Sequence, residues 1–90
     1  MNEQELIDAI QQVDFDLAFL KKRIRILDVR IAEARLENNT TEINRQSGFK
    51  RQQERYIKYA KSYRRELHAR HSENLAEWKR ELAKCAMNGD

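Results

Sequence analysis

The side chains in this chain that could do covalent or metal chemistry are few: His68, His71 and Cys85. On a helix, His68 and His71 would share a face, a spacing that suits two metal ligands. Two ligands do not make a site. Glu66 points elsewhere on the same helix, and no other acid or cysteine stands at a matching offset. The expectation is no metal and no cofactor. His71 reads instead as a filler of a packing seam, where its titration would make the packing sensitive to pH.

Cys85 is the lone cysteine, so an intrachain disulfide and a four-cysteine zinc site are both excluded. A catalytic thiol needs a base and an oxyanion donor, and a helical seam supplies neither. Cys85 is expected to be a small buried hydrophobe. The two glycines, Gly48 and Gly89, lie in neither a phosphate-binding loop nor a nucleophile elbow. The carboxylates of the first half fall on surface positions with no pocket to shelter them. The chain is expected not to be an enzyme.

What remains is charge. The net charge is +3, but residues 1–43 sum to −3, residues 44–71 to +7 and residues 72–90 to −1. The basic middle segment holds Arg51, Arg55, Lys58, Lys61 and Arg65 on one outward stripe, with Tyr59 and Arg64 on its flank. Such a stripe can neutralise nucleic-acid phosphates while Tyr59 stacks on a base. It can equally dock on an acidic protein surface, where Arg and Tyr serve as anchors. The plain alternative is a solvated face that offsets the acidic first half.

These residues must be positioned by helices. There is no proline, and charged residues make up 37% of the chain. Leu6, Ile10, Val13, Leu17, Leu20, Ile24, Leu27, Ile31 and Ala34 follow unbroken 4-3 spacing, the a/d pattern of a coiled coil. The spacing predicts helix 1 over about 3–37, roughly 50 Å long at 1.5 Å per residue. Asn38-Asn39-Thr40-Thr41 interrupts it as a turn over 38–41, with Glu42 at the capping-box offset from Asn39. Helix 2 is predicted over about 42–87, with candidate breaks near 47–48 and 72–74. Its stripe is read as Phe49, Tyr56, Ala60, Tyr63, Leu67, His71, Leu75, Trp78, Leu82 and Cys85, with a stutter at Leu67-His71-Leu75. Folding about Thr40 sets Leu27 opposite Gln53, Leu20 opposite Ala60 and Val13 opposite Leu67, and assigns Tyr56 and Tyr63 to the seam.

The fold class is therefore all-α: a single domain over residues 1–90, built as one long antiparallel, coiled-coil-like helical hairpin. Two apolar features are left over. Phe15, Phe19, Ile26, Val29 and Leu36 lie on the side of helix 1 away from the seam, and Trp78 and Leu82 lie where helix 2 outruns helix 1. A water-facing surface has no use for them. Cover would come from a short third helix after 72–74, from a sister subunit forming a bundle, or from a different protein.

The longest apolar run is Leu17-Ala18-Phe19-Leu20, far short of a membrane span, and the acidic N-terminus is unlike a signal peptide. A cytoplasmic protein with no membrane partner is expected. The functional expectation is a regulator, inhibitor or adaptor that binds a protein through the basic face and the apolar patch. Small charged helical chains of this class include phage- and plasmid-borne proteins. Nucleic-acid binding through the same basic face is the alternative, and a structural homodimer or higher coiled-coil oligomer is the third reading.

Overall fold

The computed structural model describes residues 1–87 and has two elements, α1 (Glu3–Leu36) and α2 (Thr40–Met87). They form an antiparallel hairpin 76 Å long and 16 by 14 Å across. Asn2 caps α1, its side-chain Oδ1 accepting from the Glu5 N–H at 2.8 Å. Glu3 and Glu5 in the first turn suit the positive end of the helix dipole.

Asn38 and Asn39 build the turn. Asn38 takes the left-handed conformation, with φ at 54°. Its N–H donates to the Arg35 carbonyl and that of Asn39 donates to the Ala34 carbonyl, closing α1 with a Schellman motif. The Asn39 side chain then accepts from the Glu42 N–H at 3.1 Å and caps α2. One residue thus finishes one helix and starts the next. The reciprocal half of a capping box is absent because the Asn39 N–H is already committed to Ala34; Glu42 accepts from Gln46 instead, at 2.6 Å.

The seam of α1 is as the spacing predicts: Leu6, Val13, Leu17, Leu27, Ile31 and Ala34 are buried, and Ile10, Leu20 and Ile24 half-buried. The seam of α2 is not. The residues turned inward are Gln46, Lys50, Gln53, Ile57, Ala60, Arg64, Leu67, His71 and Asn74, an unbroken 4-3 repeat without a stutter. Phe49, Tyr56, Tyr63 and Leu75 are displaced from it and stand between 41% and 47% exposed. Gln53, Ala60 and Leu67 lie on the seam, while the cross-helix ion pairs Asp28–Lys50 and Asp14–Arg64 centre the fold on Asn39 rather than on Thr40. α2 is rotated about its own axis so that the column Lys50, Ile57, Arg64 replaces the column Phe49, Tyr56, Tyr63 beside it. The reason is steric. α1 fills the interface with branched aliphatics, so its neighbour must offer slim or flexible side chains if the axes are to approach to the usual 8–10 Å. Gln, Ala and the methylene stems of Lys and Arg fit there, with their charged ends reaching the rim. The aromatic rings sit beside the seam, half in water.

α2 runs without a break through both 47–48 and 72–74, and no third helix follows it among the described residues. Gly48 lies inside the helix, and an added Cβ would meet nothing within 4 Å. It serves no close approach. Past Asn74, α2 continues alone, with Leu75 partly exposed and Trp78 and Leu82 at 60% and 50%. Cys85 is exposed rather than buried, because no partner helix reaches it.

Two stability outcomes follow. Leu67, fully buried, when replaced by Ala should cost about 2–4 kcal/mol in urea unfolding, whereas Phe15→Ala should stay within about 0.5 kcal/mol. Equal effects would mean the seam is misplaced. Gly48→Ala should stabilise by about 0.5–1 kcal/mol, since the helix gains propensity and nothing collides.

Candidate functional site

A rod of this thickness has no enclosed interior, so any function must lie on its faces. The seam rim comes first because it orients the rest. Asp28 binds Lys50 at 2.7 Å and Asp14 binds Arg64 at 2.6 Å. Both pairs straddle Asn39 symmetrically, and each partner is two heptads from its counterpart. Together they key the register of α2 on α1. Lys50 is held above the ordinary lysine pKa, first by its hydrogen bond to Asp28 and then by that carboxylate's charge. Farther along, Asn74 donates to Glu3 at 3.4 Å. His71 Nδ1 approaches Glu3 Oε1 at 2.6 Å without the alignment of a hydrogen bond.

Arg64 is therefore half removed from the basic stripe to which the sequence assigns it. It is partly buried and tied to Asp14. Arg51, Arg55, Lys58, Tyr59, Lys61 and Arg65 are exposed as that stripe requires, with Tyr59 at 69%. Arg51, Arg55 and Lys58 line one open depression with Gly48 and Glu54. Lys61 and Arg65 belong to a second one. There they meet Lys21 of α1 in an inter-helix groove of about 540 Å³, closed at one end by the Asp14–Arg64 pair. Lys21 was not legible as a member of the basic surface, because its neighbours come from the other helix. The signal lay in the heptads: Lys21 and Lys61 both flank the seam, about one turn apart along it, and line the same groove. None of Lys21, Arg51, Arg55, Lys58, Lys61 and Arg65 forms an ion pair among the described residues.

The apolar patch of α1 is exposed throughout: Phe15 67%, Phe19 51%, Ile26 44%, Val29 57% and Leu36 85%. Its residues form a second 4-3 stripe, on the side of α1 opposite the seam, interrupted by Lys22 and Glu33. Arg23 lies 5.8 Å from the Phe19 ring centre, and Arg45 at the same distance from Phe49. A shallow dimple lined by Arg23, Ile26, Leu27 and Arg30 reaches the seam's Leu27 from outside. At the open end, Leu75 and Trp78 form a further apolar hollow with Glu3 and Asn74.

Among the described residues, no group of three or more His, Cys, Asp or Glu gathers as metal ligands would, and no helix is long and apolar enough to cross a membrane. Glu66, beside the histidines, pairs with Arg70 at 2.9 Å. Comparison with protein-family models, curated proteins and solved structures returns no match.

The Asp28–Lys50 pair gives a pH outcome with a definite sign. A raised lysine pKa stabilises the fold fully below the unfolded lysine pKa, and the contribution disappears as pH rises through the elevated folded value. In a double-mutant cycle with Asp28→Asn and Lys50→Met, the coupling should be favourable at pH 7. It should shrink in high salt and vanish at strongly alkaline pH. Coupling that persists there would mean the pair is not ionic.

Proposed function

We propose that this chain is a non-enzymatic interaction protein, a regulator, inhibitor or adaptor that acts by occupying a partner's surface. The observation that carries this reading is the unpartnered second stripe of α1. A helix that already buries one seam, yet exposes two phenylalanines and three branched aliphatics on its other side, has a place for a second macromolecule. The basic side of α2 adds steering, since uncompensated cations along one face accelerate encounter with an acidic surface. The mechanism is steric and electrostatic, without turnover. The test is affinity capture from the native host with three baits: wild type, Phe15→Ser/Phe19→Ser, and Arg55→Glu/Lys58→Glu/Arg65→Glu, each checked for helicity. Partners held by the wild type should be lost by one altered bait or both. Retention by both would remove the proposal.

A second reading rests on the same basic side. Arg51, Arg55 and Lys58 recur at helical spacing beside the exposed Tyr59, an arrangement that also suits a phosphate backbone. It requires affinity for duplex or single-stranded nucleic acid that falls steeply between low and physiological salt. Binding that is absent, or indifferent to salt, rejects it.

A further inference from the structure

The outer stripe of α1 has a charge pattern that selects its occupant. Between Asp16 and Glu33 this helix carries six charged residues: Lys21, Lys22, Arg23, Arg25 and Arg30 are cations, and Asp28 alone is an acid. 

Asp28 is turned to the seam rim and bound to Lys50. The exposed stripe over Phe19, Ile26 and Val29 is therefore flanked mainly by cations, with Glu33 as the acid one turn beyond Val29, and none of these five cations is ion-paired among the described residues.

This argues against a second copy. An antiparallel twin that set Phe15 against Val29 and Phe19 against Ile26 would bring Lys22 and Arg23 of one copy against the same two cations of the other at the dyad. A parallel twin in register would do the same. Like charges juxtaposed across an interface oppose association. The overhang of α2 offers too little surface to compensate, since about a dozen residues per copy fall short of the roughly 1,200 Å² that stable interfaces bury.

We propose that the outer stripe of α1 receives an amphipathic helix of another protein whose apolar ridge is flanked by Asp and Glu. The proposal rests on the interaction reading above and supplies the chemistry of the partner. The stripe from Phe15 to Val29 is about 21 Å long, four turns of such a helix. Its ridge, with apolar residues at i, i+3, i+4 and i+7, lies along Phe15, Phe19, Ile26 and Val29. One apolar knob enters the dimple over Leu27, and acids on either side of it meet Arg23 and Arg30. Both guanidinium groups present the forked donors that carboxylates accept.

The test uses synthetic peptides. One is an amphipathic helix with a leucine ridge and glutamate flanks; a twin carries lysine flanks, and a third scrambles the acidic sequence. Binding is read by anisotropy against wild type, Phe19→Ser/Ile26→Ser and Arg23→Glu/Arg30→Glu, with helicity checked for each. The wild type should bind the acidic helix at least about tenfold more tightly than the other two peptides. Phe19→Ser/Ile26→Ser should abolish binding, and Arg23→Glu/Arg30→Glu should reverse the preference in favour of the lysine twin. That reversal is an effect a merely unfolded variant cannot produce. The proposal is overturned if the scrambled peptide binds equally, or if Arg23→Glu/Arg30→Glu leaves the preference unchanged. It is also overturned if the wild type is a dimer that Phe19→Ser/Ile26→Ser dissolves, or if an oligonucleotide or anionic phosphatidylglycerol vesicles bind this stripe more tightly than the peptide. Should the peptides fail while host partners are still captured, the broader interaction reading stands and only the partner's chemistry is wrong.

Discussion

The contact on which the hairpin depends is lopsided. α1 brings nearly all the branched hydrocarbon to the seam, and α2 answers with Leu67, a little Ile57 and Ala60, and the stems of Gln, Lys and Arg. Two equally greasy seams would pack in several rotations. Here the stems of Lys50 and Arg64 lie against aliphatic neighbours while their charged ends reach Asp28 and Asp14 at the rim, which restricts how α2 can turn. Gln46 and Gln53 are buried in this arrangement with their Oε1 atoms unpartnered, so the seam contains polarity that an all-leucine interface would lack. The buried polar groups weaken the seam, and their positions favour one alignment of the helices.

The ion pairs at the rim act on the same property. Surface pairs contribute little to stability. Asp14 with Arg64 and Asp28 with Lys50 matter as keys: sliding α2 by one heptad would separate both pairs at once. The apolar repeat of α1 is nearly uniform and cannot by itself distinguish such a slide. The charges can.

The existence of two long helices, the turn at Asn38–Asn39 and the buried seam of α1 could all be read from residue types, since each depends on local spacing and capping. The rotation of α2 could not. Phe49, Tyr56 and Tyr63 outrank Lys50, Ile57 and Arg64 on any scale of hydrophobicity, yet the second set faces inward. Hydrophobicity measures transfer from water and is silent on how much width a neighbour leaves. The exposure of Phe15, Phe19, Ile26 and Val29 was legible because one helix cannot turn both of its stripes toward a single partner. The meeting of Lys21 with Lys61 required both helices and was out of reach from either alone.

The turn has a kinetic side. The contacts that tie the helices together lie at growing distances along the chain, from Asp28–Lys50 near the turn, through Arg64 and Asp14 at 50 residues, to Asn74 and Glu3 at 71. Closing each successive loop from the open chain costs more entropy, but only slightly more once the previous pair has formed. Folding should therefore run as a zipper that starts where Asn39 joins the two helices and ends where Leu6 meets the far part of α2. Breathing runs the other way. Amide exchange should be slowest near the turn and fastest where α2 stands alone, giving a rod with a firm end and a fraying one.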